Sequence, residues 1–141
     1  MIKRIRIYHL LAIVALIGFM ACEKDRIDLD GQCIEATGLA FREYCENTFL
    51  IQLPAKYGDV GETIHVDNQT YHRVVKIAGG NLTLYDGFMT GDRIFVELRT
   101  YDPEADHELI AYPYACLALF GPQFPEVPIF VATAISGARC P

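Results

Sequence analysis

The chain has no tryptophan and a single serine, Ser136. A Ser–His–Asp hydrolase would have to be built on that residue. Its surroundings, Ala134-Ile135-Ser136-Gly137, lack the flanking glycine of a nucleophile elbow. No two cysteines stand in a CxxC spacing, which argues against a zinc or dithiol redox site. No apolar run reaches the roughly 20 residues that a membrane-spanning helix needs; the longest, residues 10–21, holds twelve apolar or small residues. Basic charge is also scarce in the main body. Three of the 12 basic residues and none of the 18 acidic ones precede Cys22, so the remainder is strongly acidic. Such a chain is not expected to bind nucleic acid, which is held by basic contacts to phosphate, nor to adhere electrostatically to an anionic membrane.

What is present begins at the N-terminus. Lys3, Arg4 and Arg6 precede the short apolar run, and small Ala21 stands immediately before Cys22. A basic start, a short apolar core and a small residue at the cut are the parts of a secretory signal. The cysteine after Ala21 narrows this to the lipoprotein type, cleaved before a lipid-bearing Cys22. Residues 1–21 are therefore expected to be a signal peptide, with a signal helix, and residues 22–32 a flexible, charged, lipidated tether. Residues 33–141 are expected to form one domain, a size that suits a single core.

The tetrad Phe19-Met20-Ala21-Cys22 resembles a lipobox, with Phe19 where that pattern usually has Leu and Met20 where it has a smaller residue. Glu23, Lys24 and Asp25 resemble the lysine-plus-acid export signal of surface lipoproteins in Bacteroidota. The resemblance implies an outer-membrane lipoprotein displayed at the cell surface, with the periplasmic leaflet as the alternative. It further implies a diacylglycerol and an N-acyl chain on Cys22; two or more acyl chains anchor stably where one does so only marginally.

Four cysteines follow Cys22: Cys33, Cys45, Cys116 and Cys140. An even set in an exported chain implies a disulfide framework, here with three possible connectivities. Strand signals dominate the same region, at 34–44 (broken by Gly38), 48–53, 63–66, 70–78, 81–85, 93–101 and 129–135. Asp67-Asn68-Gln69 marks a hairpin turn. The cleanest alternation places Ile94, Val96 and Leu98 on one face and Arg93, Glu97 and Arg99 on the other. Residues 102–111 can be read as a helix opened by Asp102 and Pro103, or as a hairpin loop, the reading favoured here.

The expected fold is all-β: a small antiparallel, partly open β-barrel of OB-like type, or a sandwich, stapled by disulfides. If the first and last strands lie side by side in such a barrel, Cys33 pairs with Cys140 and Cys45 with Cys116. The rival pairing is Cys33–Cys45 with Cys116–Cys140.

Candidate chemistry is sparse. His65 and His72 flank the hairpin turn and could begin a metal site, but no third ligand is placed beside them. Asp102, Glu104, Asp106 and Glu108, with His107, form an acidic loop that lacks calcium-loop spacing. Tyr101, Tyr112 and Tyr114, near Phe120 and Phe124, are candidates for an aromatic platform that contacts a glycan or an envelope protein. Asn68 and Asn81 match the eukaryotic glycosylation acceptor, a coincidence in a bacterial lipoprotein. The expected role is a non-catalytic binding or accessory domain, lipid-anchored in the cell envelope and without metal or cofactor. The alternative is a stapled inhibitor of a secreted hydrolase, using the proline-rich segment 121–128 as a preorganised contact.

Overall fold

The structure, a computed structural model, describes residues 28–39, 46–78, 89–111 and 124–139. Among these residues, six strands form one sheet: β1 (Cys33–Leu39), β2 (Thr48–Gln52), β3 (Glu62–Val66), β4 (Gln69–Ala78), β5 (Arg93–Thr100) and β6 (Ile129–Ser136). A 3₁₀ turn spans Ala55–Tyr57 and one helical turn spans His107–Ile110. No helix among the described residues is long and apolar enough to cross a membrane.

The strands bond in a ring. β1 pairs with β2 and β5, β5 with β6, β6 with β4, and β4 with β2, while β3 is appended to the first half of β4. This is an all-β, partly open barrel or sandwich, as expected from the sequence, with one difference of direction. β4 and β6 run parallel, so the sheet is mixed rather than wholly antiparallel. A parallel pair needs a long crossover, and here the chain travels from Ala78 through all of β5 before β6 begins at Ile129.

The expectation that the first and last strands adjoin is corrected by the same topology. β5 stands between β1 and β6: Glu97 is level with Cys33 on one side and with Ala134 on the other. Adjacency therefore no longer argues for the Cys33–Cys140 pairing. Cys33 is disulfide-bonded; Cys22, Cys45, Cys116 and Cys140 lie outside the described residues.

Side-chain alternation builds the core. Ile34 and Ala36 of β1, Phe49 and Ile51 of β2, Val75 and Ile77 of β4, and Ile94, Val96 and Leu98 of β5 fill one buried cluster. Each fully buried large aliphatic or aromatic side chain contributes about 1.5–3 kcal/mol relative to exposure. The opposite face of the barrel wall carries a smaller cluster of Leu39, Leu50, Ile64, Val74 and Val127. β2 is thus buried on both faces, which explains why its TFLIQ sequence reads as a continuous apolar run.

The packed region also reaches further back than Cys33. Leu29 is buried in the main cluster, and Asp30 accepts hydrogen bonds from the Thr100 backbone N–H at 2.7 Å and the Thr100 hydroxyl at 3.3 Å. Gly38 does not interrupt β1. It bonds to the 89–92 turn through its N–H to Asp92 and its carbonyl from Gly91, and it faces Ile51 in β2. What changes near Gly38 is the neighbour: β1 pairs with β5 up to Thr37 and with β2 from Thr37 onward.

Turn chemistry fixes the β3–β4 hairpin. Val66 faces Gln69 across two residues, Asp67 and Asn68, both left-handed with φ of 48° and 64°. Two positive φ values give the hairpin turn whose twist matches that of the strands, and Asp and Asn tolerate that conformation. A strand expected at 81–85 lies outside the described residues.

Segment 102–111 takes neither expected form in full. Asp102 and Asp106 close a turn through Asp106 N–H to Asp102 carbonyl at 2.8 Å. The single helical turn follows, and Ala111 then bridges Glu46. Asn47 fastens the helical turn with its N–H to Ile110 carbonyl at 2.9 Å and its side-chain amide to Leu109 carbonyl at 3.3 Å. These contacts place Glu46 3.1 Å from the ammonium of Lys76, whose side chain is only 2% exposed within the barrel wall.

Candidate functional site

A cleft of about 500 Å³ opens on the outer surface of the barrel, lined by Glu35, Ala36, Thr37, Gln52, Leu53, Pro54, Lys56 and Arg73. Its origin is a divergence of strands. The β1–β2 pairing ends at Thr37 opposite Gln52, beyond which β1 stays with β5. Pro54 has no N–H and cannot extend the ladder. The chain turns instead into the 3₁₀ segment, anchored by buried Tyr57, with exposed Lys56 held 4.8 Å above the Tyr57 ring.

Arg73 forms the opposite wall. The β3–β4 ladder passes from Glu62 opposite Val74 to Ile64 opposite Tyr71, so β4 carries an extra residue there. Arg73 sits at this bulge with φ of 56°. Its backbone carbonyl accepts from Leu53 N–H at 3.0 Å, and its Nε–H donates to Leu53 carbonyl at 3.1 Å. Gln52 Nε2 donates to His72 carbonyl at 3.0 Å, tying β2 to the same bulge. Glu35, on the far lip, lies 3.3 Å from Arg93 in an exposed ion pair. Surface pairs of this kind contribute about 0–1 kcal/mol, so the carboxylate can change partner cheaply.

The residues singled out by sequence are differently placed. His65 and His72 each bond a threonine, at Thr70 and Thr63 respectively, both at 3.0 Å. No group of three or more metal-ligating side chains occurs among the described residues. The acidic loop is organised around an internal cation: Arg99 donates to both Asp106 oxygens, at 2.6 and 2.7 Å, and Asp102 N–H donates to Asp106 at 3.0 Å. Tyr101 is half-buried. Tyr112, Tyr114, Phe120, Asn81 and the export residues Glu23, Lys24 and Asp25 lie outside the described residues. Ser136 accepts a hydrogen bond from Ala138 N–H at 3.0 Å. The proline-rich segment turns inward where it is described: Val127 is buried in the smaller cluster, and Pro128 carbonyl accepts from Lys76 N–H at 2.9 Å.

The Arg99–Asp106 contact carries a pH signature. Arg99's hydrogen bonds, with that of Asp102 N–H, hold the Asp106 carboxyl down at about 2 from its ordinary 3.8. A depressed carboxylate adds stability that is present above its unfolded-state value and is lost as pH falls through its folded-state value. Asp106→Asn is therefore expected to be less stable than the parent at neutral pH. The gap should narrow between about pH 4 and pH 2. Thermal melts across that range check it, and a gap independent of pH would contradict the assignment.

The cleft is not visible in the sequence. Arg73 and Lys56 look like ordinary surface cations, and only the strand divergence and the bulge bring them to one depression. A partial signal was legible in Pro54, which ends β2, and in Gly61, which lies against the bulge. No protein-family model, curated protein sequence or solved structure matches the chain.

Proposed function

We propose that the chain is a lipid-anchored cell-envelope lipoprotein whose barrel serves as a non-catalytic binding domain, with the β1–β2 cleft as its ligand seat. The observation that carries this reading is the cleft itself. Its volume lies within the range of about 300–1,000 Å³ of ligand pockets, and polar side chains from β1, β2 and the β4 bulge converge on it. Its lining offers hydrogen-bonding and charged groups, a composition suited to holding a polar ligand. The anchor rests on Ala21-Cys22 behind the basic, apolar leader, and surface display on Glu23-Lys24-Asp25. Inward packing of Val127 leaves less of the proline-rich segment to dock, which favours the cleft over the inhibitor reading.

The test has two arms. With the full chain made in a Bacteroidota host, a clickable fatty acid is expected to label the parent and not Cys22→Ser, and the variant should leave the membrane fraction. Retention of Cys22→Ser in the membrane would overturn the anchor. The detergent-solubilised lipoprotein is then used to capture glycans and envelope components, with Thr37→Ala/Gln52→Ala as control. Capture that is equal for parent and control removes the cleft from the function.

A further inference from the structure

We propose that the cleft takes an acidic sugar, with the carboxylate held between Lys56 and Arg73 and the hydroxyls held by Thr37, Gln52 and Glu35. The proposal rests on the reading of the barrel as a binding domain and adds the chemical class of ligand. Two independent observations converge on an anion seat. One is that two cations, Lys56 and Arg73, line a cleft to which, among the described residues, Glu35 alone brings a carboxylate, and Glu35 already has a cationic neighbour in Arg93.

The other is the conformation of Arg73. An arginine in the left-handed region is strained, and such strain gathers at functional positions. Bulges re-aim a side chain, and this one puts Arg73 on the cleft wall. Its Nε–H is spent on Leu53 carbonyl, which fixes the guanidinium plane. The terminal nitrogens keep the paired N–H geometry that matches a carboxylate.

The rest of the lining suits hydroxyls rather than more charge. Thr37 can both donate and accept. Gln52 commits its amide nitrogen to His72 and retains its carbonyl oxygen as an acceptor. Glu35 on β1 and Arg73 on β4 stand on opposite walls of the cleft. The cleft's volume of about 500 Å³ accommodates a sugar ring with its carboxylate at the Arg73 end.

The experiment is calorimetry on the detergent-solubilised lipoprotein with galacturonic acid, its trimer, and the trimer reduced at its carboxyls to neutral galactose units. The acidic ligands are expected to bind at least ten times more tightly than the neutral trimer. Lys56→Gln and Arg73→Gln are each expected to weaken acid binding about tenfold and to erase the preference for the acid. Melting temperatures check folding; Lys56 lies on an exposed turn, so its variant keeps the test valid if Arg73→Gln loosens the bulge. Equal affinity of monomer and trimer points to a free sugar acid, and preference for the trimer to the end of an acidic polysaccharide; both support the proposal. Equal binding of acid and neutral trimers sinks the ligand class and leaves the binding domain standing. Failure of all three sugars sinks the ligand class too, and the capture experiment then decides the wider reading separately.

Discussion

Phe49→Ala is expected to remove about 3–5 kcal/mol of folding stability. Phe49 is 2% exposed and projects from β2 into the main cluster. β2 joins β1 to β4 in the ring, so the residue packs at the junction of three strands. Removing the ring forfeits its transfer free energy and leaves a cavity that hydrogen-bonded strands on both sides prevent from collapsing. A net stability of about 5–15 kcal/mol is usual for a domain, so the variant should sit near the threshold of folding. Urea titration measures the change. A midpoint shift with unchanged slope is expected, and Phe49→Leu should recover a large share of the loss. A cost below about 1 kcal/mol would mean that the β2 face is not packed as described.

The second large effect is expected at a glycine. A β-carbon on Gly61 would lie 2.4 Å from the Arg73 backbone carbon and 2.7 Å from the carbonyl oxygens of Arg73 and Val74. These are backbone atoms held in the β4 bulge, so no side-chain rotation relieves the contact. Overpacking of this kind typically costs about 1–3 kcal/mol, occasionally more. Gly61→Ala is accordingly expected to destabilise by at least about 2 kcal/mol. It should also weaken any ligand seated through Arg73, since the bulge must shift to admit the methyl group. Gly58→Ala is the control: its β-carbon would meet only Ala55 carbonyl, at 3.5 Å, and its backbone is already right-handed. That change should be neutral or stabilising by up to about 1 kcal/mol through the unfolded chain. Chemical denaturation of both variants gives the comparison, and equal stabilities would refute the steric account.

The barrel was legible in sequence wherever the determinant is local. The alternation of Ile94, Val96 and Leu98 places three side chains in the core as read, and Asp67-Asn68 supplies the left-handed pair that turns the hairpin. The unread features depend on partners distant in the chain. The parallel pairing of β4 with β6 cannot be seen in either strand, since Lys76-Ile77-Ala78 and Ile129-Phe130-Val131 carry no residue that dictates the direction of a neighbour. Lys76 reads as a solvent-facing cation in an alternating strand, yet it is buried because Glu46 and the Pro128 backbone meet it from elsewhere. The cleft is hidden for the same reason. Its walls come from β1, the turn after β2 and a bulge in β4, against which Gly61 packs without room for a β-carbon.

The parallel β4–β6 contact has a consequence for the order of assembly. β6 is bonded to β5 on one side and to β4 on the other, and it comes last in sequence among the described strands. Until it arrives, β4 and β5 face each other across a vacant lane with two rows of unsatisfied backbone groups, joined the long way round through β2 and β1. The ring therefore behaves like a clasp whose tongue is β6. Closure must await contacts of high sequence separation, the kind that slow folding, and an incompletely folded chain exposes two strand edges at once.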